Sequence, residues 1–221
     1  MKKILITGGA GYLGIELTNY LLKKNYKIIL IDRFFFISKN YFRNRKNLKV
    51  IKEDVRKINI NHFIGIDIVI DLVSLSIAPH GSKFYDEMTW AINHNSRLKN
   101  AKLAKRAEVK QYIFPSSCSV YGYQKAKICN ENSKLNPQST YAKAKKLSER
   151  KILPLSSNNF CVTALRLPTV FGYSRKMRFD IIVNGMTYDA LNFKKIKLLR
   201  NGKQRRPLFI LKMFVELFII S

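Results

Sequence analysis

Six short runs of apolar residues, each rich in β-branched side chains, recur along the chain as far as Leu167. Continuous apolar runs of this length are typical of strands that are buried on both faces of a sheet. They predict strands at Lys3 to Thr7, Lys27 to Asp32, Leu48 to Asp54, Asp67 to Ser74, Gln111 to Ser117 and Cys161 to Leu167.

Two stretches between these runs carry apolar side chains at helical spacing. Leu17, Leu21 and Leu22 share one face of a helix predicted over Ile15 to Lys24, and a second helix is predicted over Leu98 to Ala107. Strand and helix therefore alternate, which is typical of a parallel sheet covered on both sides. The predicted fold class is α/β, with a doubly wound parallel sheet.

This alternation fades after about Val170, so we expect a boundary there. Residues 1–170 would form the sheet domain, and residues 171–208 would form an incomplete second subdomain. Residues 209–221 are an atypical apolar tail.

The composition is that of a globular protein. The 221 residues are 47% hydrophobic and 12% aromatic, and no apolar run reaches the ~20 residues that a membrane-spanning helix needs. The apolar run near the N-terminus, Ile4 to Ile6, is too short for the core of a signal peptide. We therefore expect a cytoplasmic protein with no membrane partner.

The cysteines predict neither disulfides nor a metal site. Cys118, Cys129 and Cys161 form no CxxC pair and have no histidine at metal-ligand spacing. We expect free thiols and no bound metal.

The formal net charge of +27 changes the list of potential partners. It could reflect a solvated surface, attraction of an anionic ligand, or binding of nucleic acid. The lysines are spread over every segment, and the densest basic stretch, Lys39 to Lys57, carries no zinc-finger, RRM or KH signature. A solvated surface is the favoured interpretation, and no specific nucleic acid is expected.

A glycine-rich turn follows the first predicted strand and opens the first helix. Gly8, Gly11 and Gly14 stand at TGxxGxxG spacing. In a dinucleotide site the first glycine permits a tight turn, the second lets the backbone approach a pyrophosphate, and the third lets helix and strand pack closely. The helix start at Tyr12 and Leu13 would offer free N–H groups to the phosphates.

Carboxylates at two strand ends extend this pattern. Asp32 ends the second strand, where it could accept both hydroxyls of an adenosine ribose, which favours NAD. Arg33 follows and could meet a 2′-phosphate, so NADP stays open. Asp54 and Val55 follow the third strand, where a carboxylate and a backbone amide could hold adenine.

A second constellation begins at the end of the fifth strand. Ser117 lies there, and Tyr141 and Lys145 follow four residues apart, on one face of a predicted helix. A nearby ammonium stabilises a phenolate and so brings a tyrosine toward use as a base at neutral pH. Ser117 would hydrogen-bond the substrate oxygen that Tyr141 deprotonates.

With these residues in order, the chain resembles the extended short-chain dehydrogenase/reductase family, in particular the NAD-dependent nucleotide-sugar epimerases and dehydratases. The resemblance covers about Lys2 to Leu208. Besides Asp32, it rests on "TGGAGYLG", "EDV", "SSCSVYG", "YAKAK", "SRKMRFDIIVNG" and "NGKQRRP".

The resemblance implies a Rossmann-like NAD-binding domain over residues 1–170 and a partial nucleotide-sugar-binding region over residues 171–208. It implies that Ser117, Tyr141 and Lys145 form the catalytic trio and leaves a homodimer open. The other implied contacts are Leu72, Val73, Ser74 and Pro168 with the cofactor, and Asn184 and Arg206 with the nucleotide diphosphate.

Two departures from the family pattern narrow the expected reaction. Dehydratases of the family place Asp-Glu after the serine or threonine of the trio, whereas this chain has Cys118 and Ser119. The "LPTV" run from Leu167 to Val170 lacks an asparagine that often holds the sugar. We expect epimerisation, more of the 4-epimerase type than dehydration, in which Tyr141 takes a hydroxyl proton while hydride leaves the same carbon for NAD. The sugar is left open.

Two other classes of protein remain as alternatives. One is a dinucleotide-binding protein without turnover or an inactive fragment. The other is a basic nucleic-acid-binding protein, whose affinity would fall steeply with salt.

The tail "FILKMFVELFIIS" lacks the Ile-His-Val-x-Asp-Val segment that follows "RRPL" in the family. Back-translation of Phe209 to Glu216 permits a similar segment one nucleotide out of frame, so a lost base after the Leu208 codon is the favoured explanation. An amphipathic closing helix and a genuine short variant are the alternatives. The favoured explanation predicts a chain truncated at its C-terminus, an exposed apolar tail and weak or absent turnover.

Overall fold

The computed structural model describes residues 1–76, 82–124, 128–196, 198 and 205–218. Six parallel strands form the central sheet, in the spatial order β3-β2-β1-β4-β5-β6. Their bounds are β1 (Lys3–Thr7), β2 (Lys27–Asp32), β3 (Leu48–Lys52), β4 (Ile68–Asp71), β5 (Gln111–Ser117) and β6 (Cys161–Leu167).

Helices join these strands, and a small second sheet follows them. The helices are α1 (Tyr12–Lys23), α2 (Lys83–Trp90), α3 (Arg97–Arg106), α4 (Thr140–Ile152), α5 (Ile182–Phe193) and α6 (Leu211–Glu216). The second sheet pairs β7 (Thr169–Phe171) with β8 (Leu208–Ile210) in parallel. Within the described residues, no helix is long and apolar enough to cross a membrane.

This architecture confirms the predicted fold class. Four of the six predicted strands have the observed bounds, and β3 and β4 end earlier than predicted. At the end of β4, the carbonyl groups of Asp71 and Val73 accept hydrogen bonds from the Arg97 side chain. Helix α1 begins earlier than its apolar pattern suggests because Gly11 is already its N-cap residue.

The two faces of the sheet form separate apolar clusters because side chains alternate along each strand. In β1, Leu5 belongs to one cluster with Tyr112 and Phe114. Its neighbours Ile4 and Ile6 belong to the other cluster, which α1 covers. The carboxyl ends of the strands meet at one edge of the sheet, where ligands of such folds bind.

One face of the tail packs against the protein, so the prediction of an exposed apolar segment is wrong for that face of its described part. Leu211, Phe214, Val215 and Phe218 are all less than a tenth exposed and join the cluster on the α1 face. Their spacing of three and four residues places them on one face of a helix. This agrees with the alternative of an amphipathic closing helix, while the reading-frame explanation stays a prediction about the gene.

Candidate active site

The glycine turn between β1 and α1 has the geometry that its spacing predicts. Gly8 has φ +71°, and a Cβ there would lie 2.8 Å from the backbone nitrogen of Val73. A Cβ on Gly14 would lie 2.3 Å from the carbonyl oxygen of Gly8, so this glycine lets α1 pack against the turn. Sequence reasoning missed Gly9, where a Cβ would lie 2.4 Å from Cγ of Leu30.

The start of α1 is suited to a phosphate group. No side chain among the described residues caps Gly11, and the first turn of the helix holds no acidic residue. Free N–H groups and the helix dipole there favour a bound anion. The Tyr12 side chain turns away from this position, and its hydroxyl donates a hydrogen bond to the Gly172 carbonyl at 2.7 Å. Leu13 is half-buried.

Asp32 ties the end of β2 to the glycine turn. Its Oδ2 accepts from the backbone N–H of Ala10 at 3.0 Å, and its Oδ1 accepts from the N–H of Phe34 at 2.8 Å. Burial raises the pKa of Asp32, against the lowering effect of these hydrogen bonds. Each carboxylate oxygen keeps a further lone pair, so the side chain fits the ribose-binding role predicted for it.

The other predicted adenosine contacts are engaged with one another. Asp54 forms ion pairs with Arg56 at 2.7 Å and with Arg33 at 3.2 Å. Hydrogen bonds from Arg56 lower the pKa of Asp54 to about 2. The Arg33 guanidinium also lies 4.2 Å from the centre of the Phe35 ring. Val55 is buried, and its carbonyl accepts a hydrogen bond from Asn100.

The structure brings the predicted catalytic trio together. Ser139 caps α4, with its Oγ accepting from the Ala142 N–H at 3.2 Å, and so fixes the start of the helix that carries Tyr141 and Lys145. The Lys145 ammonium nitrogen lies 5.3 Å from the centre of the Tyr141 ring. The hydroxyls of Ser74 and Ser117 lie beside the Tyr141 hydroxyl, where hydrogen bonding to them lowers the pKa of Tyr141.

Burial opposes ionisation of both Tyr141 and Lys145. It raises the pKa of Tyr141, while the positive charge of Arg97 and the two serine hydroxyls lower it. The Lys145 amine donates to the Pro115 carbonyl at 2.9 Å, and burial, reinforced by Arg97, lowers its pKa well below the usual range. The predicted role of the Lys145 charge stays a prediction, and Arg97 is a second cation that sequence reasoning missed.

Asn93 is another buried polar residue that sequence reasoning missed. It lies in a π-helical turn, Ala91–Ser96, between α2 and α3. Its amide oxygen accepts from Ser74 Oγ at 3.1 Å and from the Leu75 N–H at 2.8 Å, and its amide nitrogen donates to the Leu75 carbonyl. Asn93 thereby orients Ser74 toward the site. The polar run from Asn93 to Ser96 is the feature of the sequence that could have drawn attention to this residue.

The residues after Ser117 bring no acid to the trio. The Ser119 hydroxyl donates to Ser117 Oγ at 3.0 Å. The Cys118 thiol donates to the Arg166 carbonyl at 3.2 Å, and burial raises its pKa. The thiol is therefore turned toward β6, and neither position 118 nor position 119 carries a carboxylate.

The predicted substrate contacts lie farther along the chain. Asn184 is buried, and its amide accepts from the Gly172 N–H at 3.0 Å and donates to the Tyr12 hydroxyl at 3.2 Å. Arg206 is exposed and forms no ion pair within the described part of the chain. Pro168 is half-buried between β6 and β7. Asn201 to Gln204 of the "NGKQRRP" motif lie outside the described residues.

The described residues hold no group of three or more His, Cys, Asp or Glu side chains arranged to bind a metal. The three cysteines are free thiols, and Cys161 is exposed.

Comparison with protein families adds one broad match. The sequence profile described as "NAD dependent epimerase/dehydratase family" matches residues 4–219.

Curated relatives are distant but cover most of the chain. An uncharacterized UDP-glucose epimerase of Bacillus subtilis (strain 168) is 27% identical over 92% of this chain and 67% of its own length. UDP-glucuronic acid decarboxylase 1 of Danio rerio is 25% identical over 93% of this chain and 50% of its own length. The chain thus spans between half and two thirds of these relatives.

Solved structures show the same fold. UDP-glucuronic acid 4-epimerase from Bacillus cereus, in complex with UDP-glucuronic acid and NAD, superposes with a TM-score of 0.83. It is 23% identical, and the match covers 96% of this chain and 70% of that one.

Proposed function

The chain belongs to the NAD dependent epimerase/dehydratase family, and from this premise we propose that it binds NAD and inverts carbon 4 of a nucleotide sugar. The observation that carries the proposal is the meeting of Tyr141 with Ser117 above the buried Lys145. This constellation lies at the carboxyl edge of the parallel sheet, beside the glycine turn. The glycine turn would hold the dinucleotide, and Tyr141 would be the base for the sugar hydroxyl. The two parts of one active site thus lie side by side.

The residues of this chain fit NAD. A Cβ on Gly11 would have only the Gly8 carbonyl oxygen nearby, at 3.2 Å, so the glycine leaves open space for a phosphate in front of the uncapped start of α1. Asp32 is held by two backbone amides and would receive ribose hydroxyls. Bound NAD would supply a reversible acceptor for the hydrogen and electron pair of a carbon that carries a hydroxyl.

Tyr141 is the group that would move the proton. Its phenolate would accept the proton that the sugar hydroxyl loses, and the phenol formed in that step would give the proton back, so one residue serves both halves of an epimerisation. Ser117 would hold the sugar oxygen throughout, as a donor aimed at the position where charge develops. Burial raises the pKa of Tyr141, so this role depends on nearby positive charge.

The surroundings of the trio favour epimerisation over dehydration. Removal of water needs an additional acid and base beside the sugar. Positions 118 and 119 hold a cysteine and a serine, and the cysteine thiol is turned to a backbone carbonyl. Besides NAD as the hydride acceptor, exchange of stereochemistry at one carbon needs only the base already present.

A nucleotide sugar is the proposed substrate class because relatives of this family bear the names of UDP-sugar enzymes. Arg206 would contribute the phosphate contact, since its exposed planar guanidinium can pair with two oxygens. The buried Asn184 would act indirectly, by holding Gly172 and Tyr12.

The proposal is tested by incubating the purified chain with NAD and single UDP-sugars, and by analysing the sugar products chromatographically. We expect slow conversion of at least one UDP-sugar to its 4-epimer. Saturable NAD binding without conversion of any UDP-sugar would support a non-catalytic dinucleotide-binding protein instead. Absence of NAD binding, together with salt-sensitive binding to DNA or RNA, would contradict both.

A further inference from the structure

A buried ion pair lies directly beneath the proposed site. Arg97 begins α3, Asp71 ends β4, and each residue is 1% exposed. The Arg97 Nε and the Asp71 Oδ2 are 3.3 Å apart. Because removal of two charges from water costs several kcal/mol per ion, such a pair requires dense hydrogen bonding to persist.

Both partners have that hydrogen bonding. Asp71 accepts from the Thr7 hydroxyl and from the Tyr112 hydroxyl, each at 2.6 Å. Arg97 donates to the carbonyl groups of Asn93 at 3.4 Å, Asp71 at 3.4 Å and Val73 at 2.5 Å. The guanidinium therefore joins the end of β4 to the π-helical turn that carries Asn93.

This clamp fixes a segment that enters the site. Val73 lies against the glycine turn, where it leaves no room for a side chain at Gly8. Ser74, the next residue, is oriented by Asn93 and shares a hydrogen bond with the Tyr141 hydroxyl. The Arg97 side chain thus holds the backbone from which one hydrogen-bonding partner of Tyr141 projects.

The charge of Arg97 also acts on the site. An arginine stays protonated at all ordinary pH values, and its field is weakly screened in the protein interior. That field lowers the pKa of Tyr141 and of Lys145. The charge of Arg97 therefore favours the phenolate form of Tyr141 and disfavours the ammonium form of Lys145. For this reason Arg97 and Lys145 are not interchangeable.

The charged groups that act on these two side chains come from several elements. Tyr141 is under the influence of Arg97 and Arg178 and lies beside Lys145. Lys145 is under the influence of Arg97, Asp71 and Glu149.

On the basis of the proposed function, we propose that Arg97, anchored by Asp71, is a positioning residue of this site. It clamps the segment from Asp71 to Ser74 next to Tyr141, and it supplies a fixed positive charge that stabilises the Tyr141 phenolate. A merely structural ion pair would contribute to folding and leave the titration of Tyr141 unchanged.

The test compares Arg97→Met with Arg97→Lys and with a matched control. Each protein is titrated with base while the tyrosinate absorbance is recorded, and the titration is repeated after Tyr141→Phe is added to the same protein. The difference between the two curves is the ionisation of Tyr141, and it is measured without any turnover. In Arg97→Met we expect the midpoint to move upward by on the order of one pH unit, because the phenolate loses a nearby cation. Arg97→Lys keeps the charge and should recover much of this shift, although its compact ammonium lacks the planar fork with which Arg97 spans the three carbonyl groups and the Asp71 carboxylate.

Arg166→Met is the control, because Arg166 forms a partly buried ion pair, at 2.8 Å with Glu149, and is not among the charges that act on Tyr141. We expect its Tyr141 midpoint to stay at the wild-type value. If Arg97→Met does not fold because Asp71 is left unpaired, the double variant Asp71→Asn with Arg97→Met removes both charges and should show the upward shift.

The outcome separates this inference from the proposed function. If UDP-sugar turnover is present, the rising limb of its pH profile should move upward with the Tyr141 midpoint in Arg97→Met. An unchanged Tyr141 midpoint in both Arg97→Met and the double variant would overturn the inference, even in an active enzyme. A shifted midpoint without turnover in any form would uphold the inference and count against the proposed reaction.

Discussion

The cofactor region and the C-terminal region of this chain differ in how completely their apolar side chains are buried. In the cofactor region, residues 1–171, both faces of a six-stranded sheet are covered, and fully buried apolar side chains are frequent. In the C-terminal region, residues 172–218, large apolar side chains lie open to solvent. Those more than half exposed are Tyr173, Phe179, Leu191, Phe193, Ile196, Leu198, Met213 and Leu217.

This difference bears on which region each part of the proposed function depends on. The residues of the proposed dinucleotide site and of the proposed trio lie in the cofactor region, while Arg178 of the C-terminal region also lowers the pKa of Tyr141. The contacts that join the C-terminal region to it include the three-residue pairing of β7 with β8, the buried face of α6, and the hydrogen bonds around Tyr12. We therefore expect chemistry and cofactor binding to depend on the first region, and substrate recognition on the second.

The largest effect should come from the proton-transferring group of the cofactor region. Tyr141→Phe removes the hydroxyl, so turnover of a UDP-sugar should fall by about 10²–10⁴-fold, measured as initial rates at saturating substrate. NAD affinity should change little because the ring remains. Tyr123→Phe is the matched control, since Tyr123 is 80% exposed. Full activity of Tyr141→Phe would show that the base lies elsewhere.

A pair of phenylalanines compares the packing of the two regions. Phe63 in the cofactor region and Phe214 in α6 are both fully buried. Each change to alanine should lower the free energy of unfolding by about 3–5 kcal/mol, as measured by urea titration. Phe214→Ala should lie at the lower end, because its exposed neighbours Met213 and Leu217 can move into the space.

Met213→Ala serves as the control for this comparison, because its side chain is 52% exposed and should contribute little. An unchanged urea midpoint for Phe214→Ala would mean that α6 unfolds separately from the sheet. The tail would then lie outside the part of the chain that unfolds cooperatively, and the difference between the two regions would be larger.

These regions also differ in how far the sequence predicts them. The glycine turn, Asp32 and the pair Tyr141 and Lys145 follow local rules of spacing, since each depends on one strand end or one helix face. The clamp of Arg97 on Asp71 joins residues 26 positions apart, and nothing in the local pattern marks a charged helix residue as buried. The nearest sequence signal for this clamp was Asp71, an acidic residue within a predicted strand whose neighbouring residues are apolar.

The role of Asn184 and the packing of the tail show the same limit. Family resemblance assigns Asn184 to the substrate, whereas its hydrogen bonds to Tyr12 and Gly172 arise from contacts that only the folded chain brings together. The apolar spacing of Leu211, Phe214, Val215 and Phe218 was visible in the sequence. Its burial could not be predicted from local pattern, because it depends on the facing surface of α1.

The smallest effect concerns the link between the two regions. Tyr12→Phe removes the hydroxyl that donates to Gly172 and accepts from Asn184. Stability should fall by about 1–2 kcal/mol, and limited proteolysis should cut the C-terminal region faster. Tyr188→Phe, a partly exposed tyrosine of α5, should leave both readouts unchanged. If Tyr12→Phe has no effect on either, these hydrogen bonds do not join the regions.

The central claim is that the cofactor region forms an NAD site around the glycine turn and Asp32. Calorimetric titration of the intact chain with NAD and with NADP, repeated on Asp32→Ala, tests it most directly. We predict saturable binding at one site, tighter for NAD than for NADP, with the gap narrowed in Asp32→Ala because the ribose hydroxyls lose their acceptor. Absence of saturable NAD binding, or equal affinities for the two dinucleotides in the unaltered chain, would contradict this account.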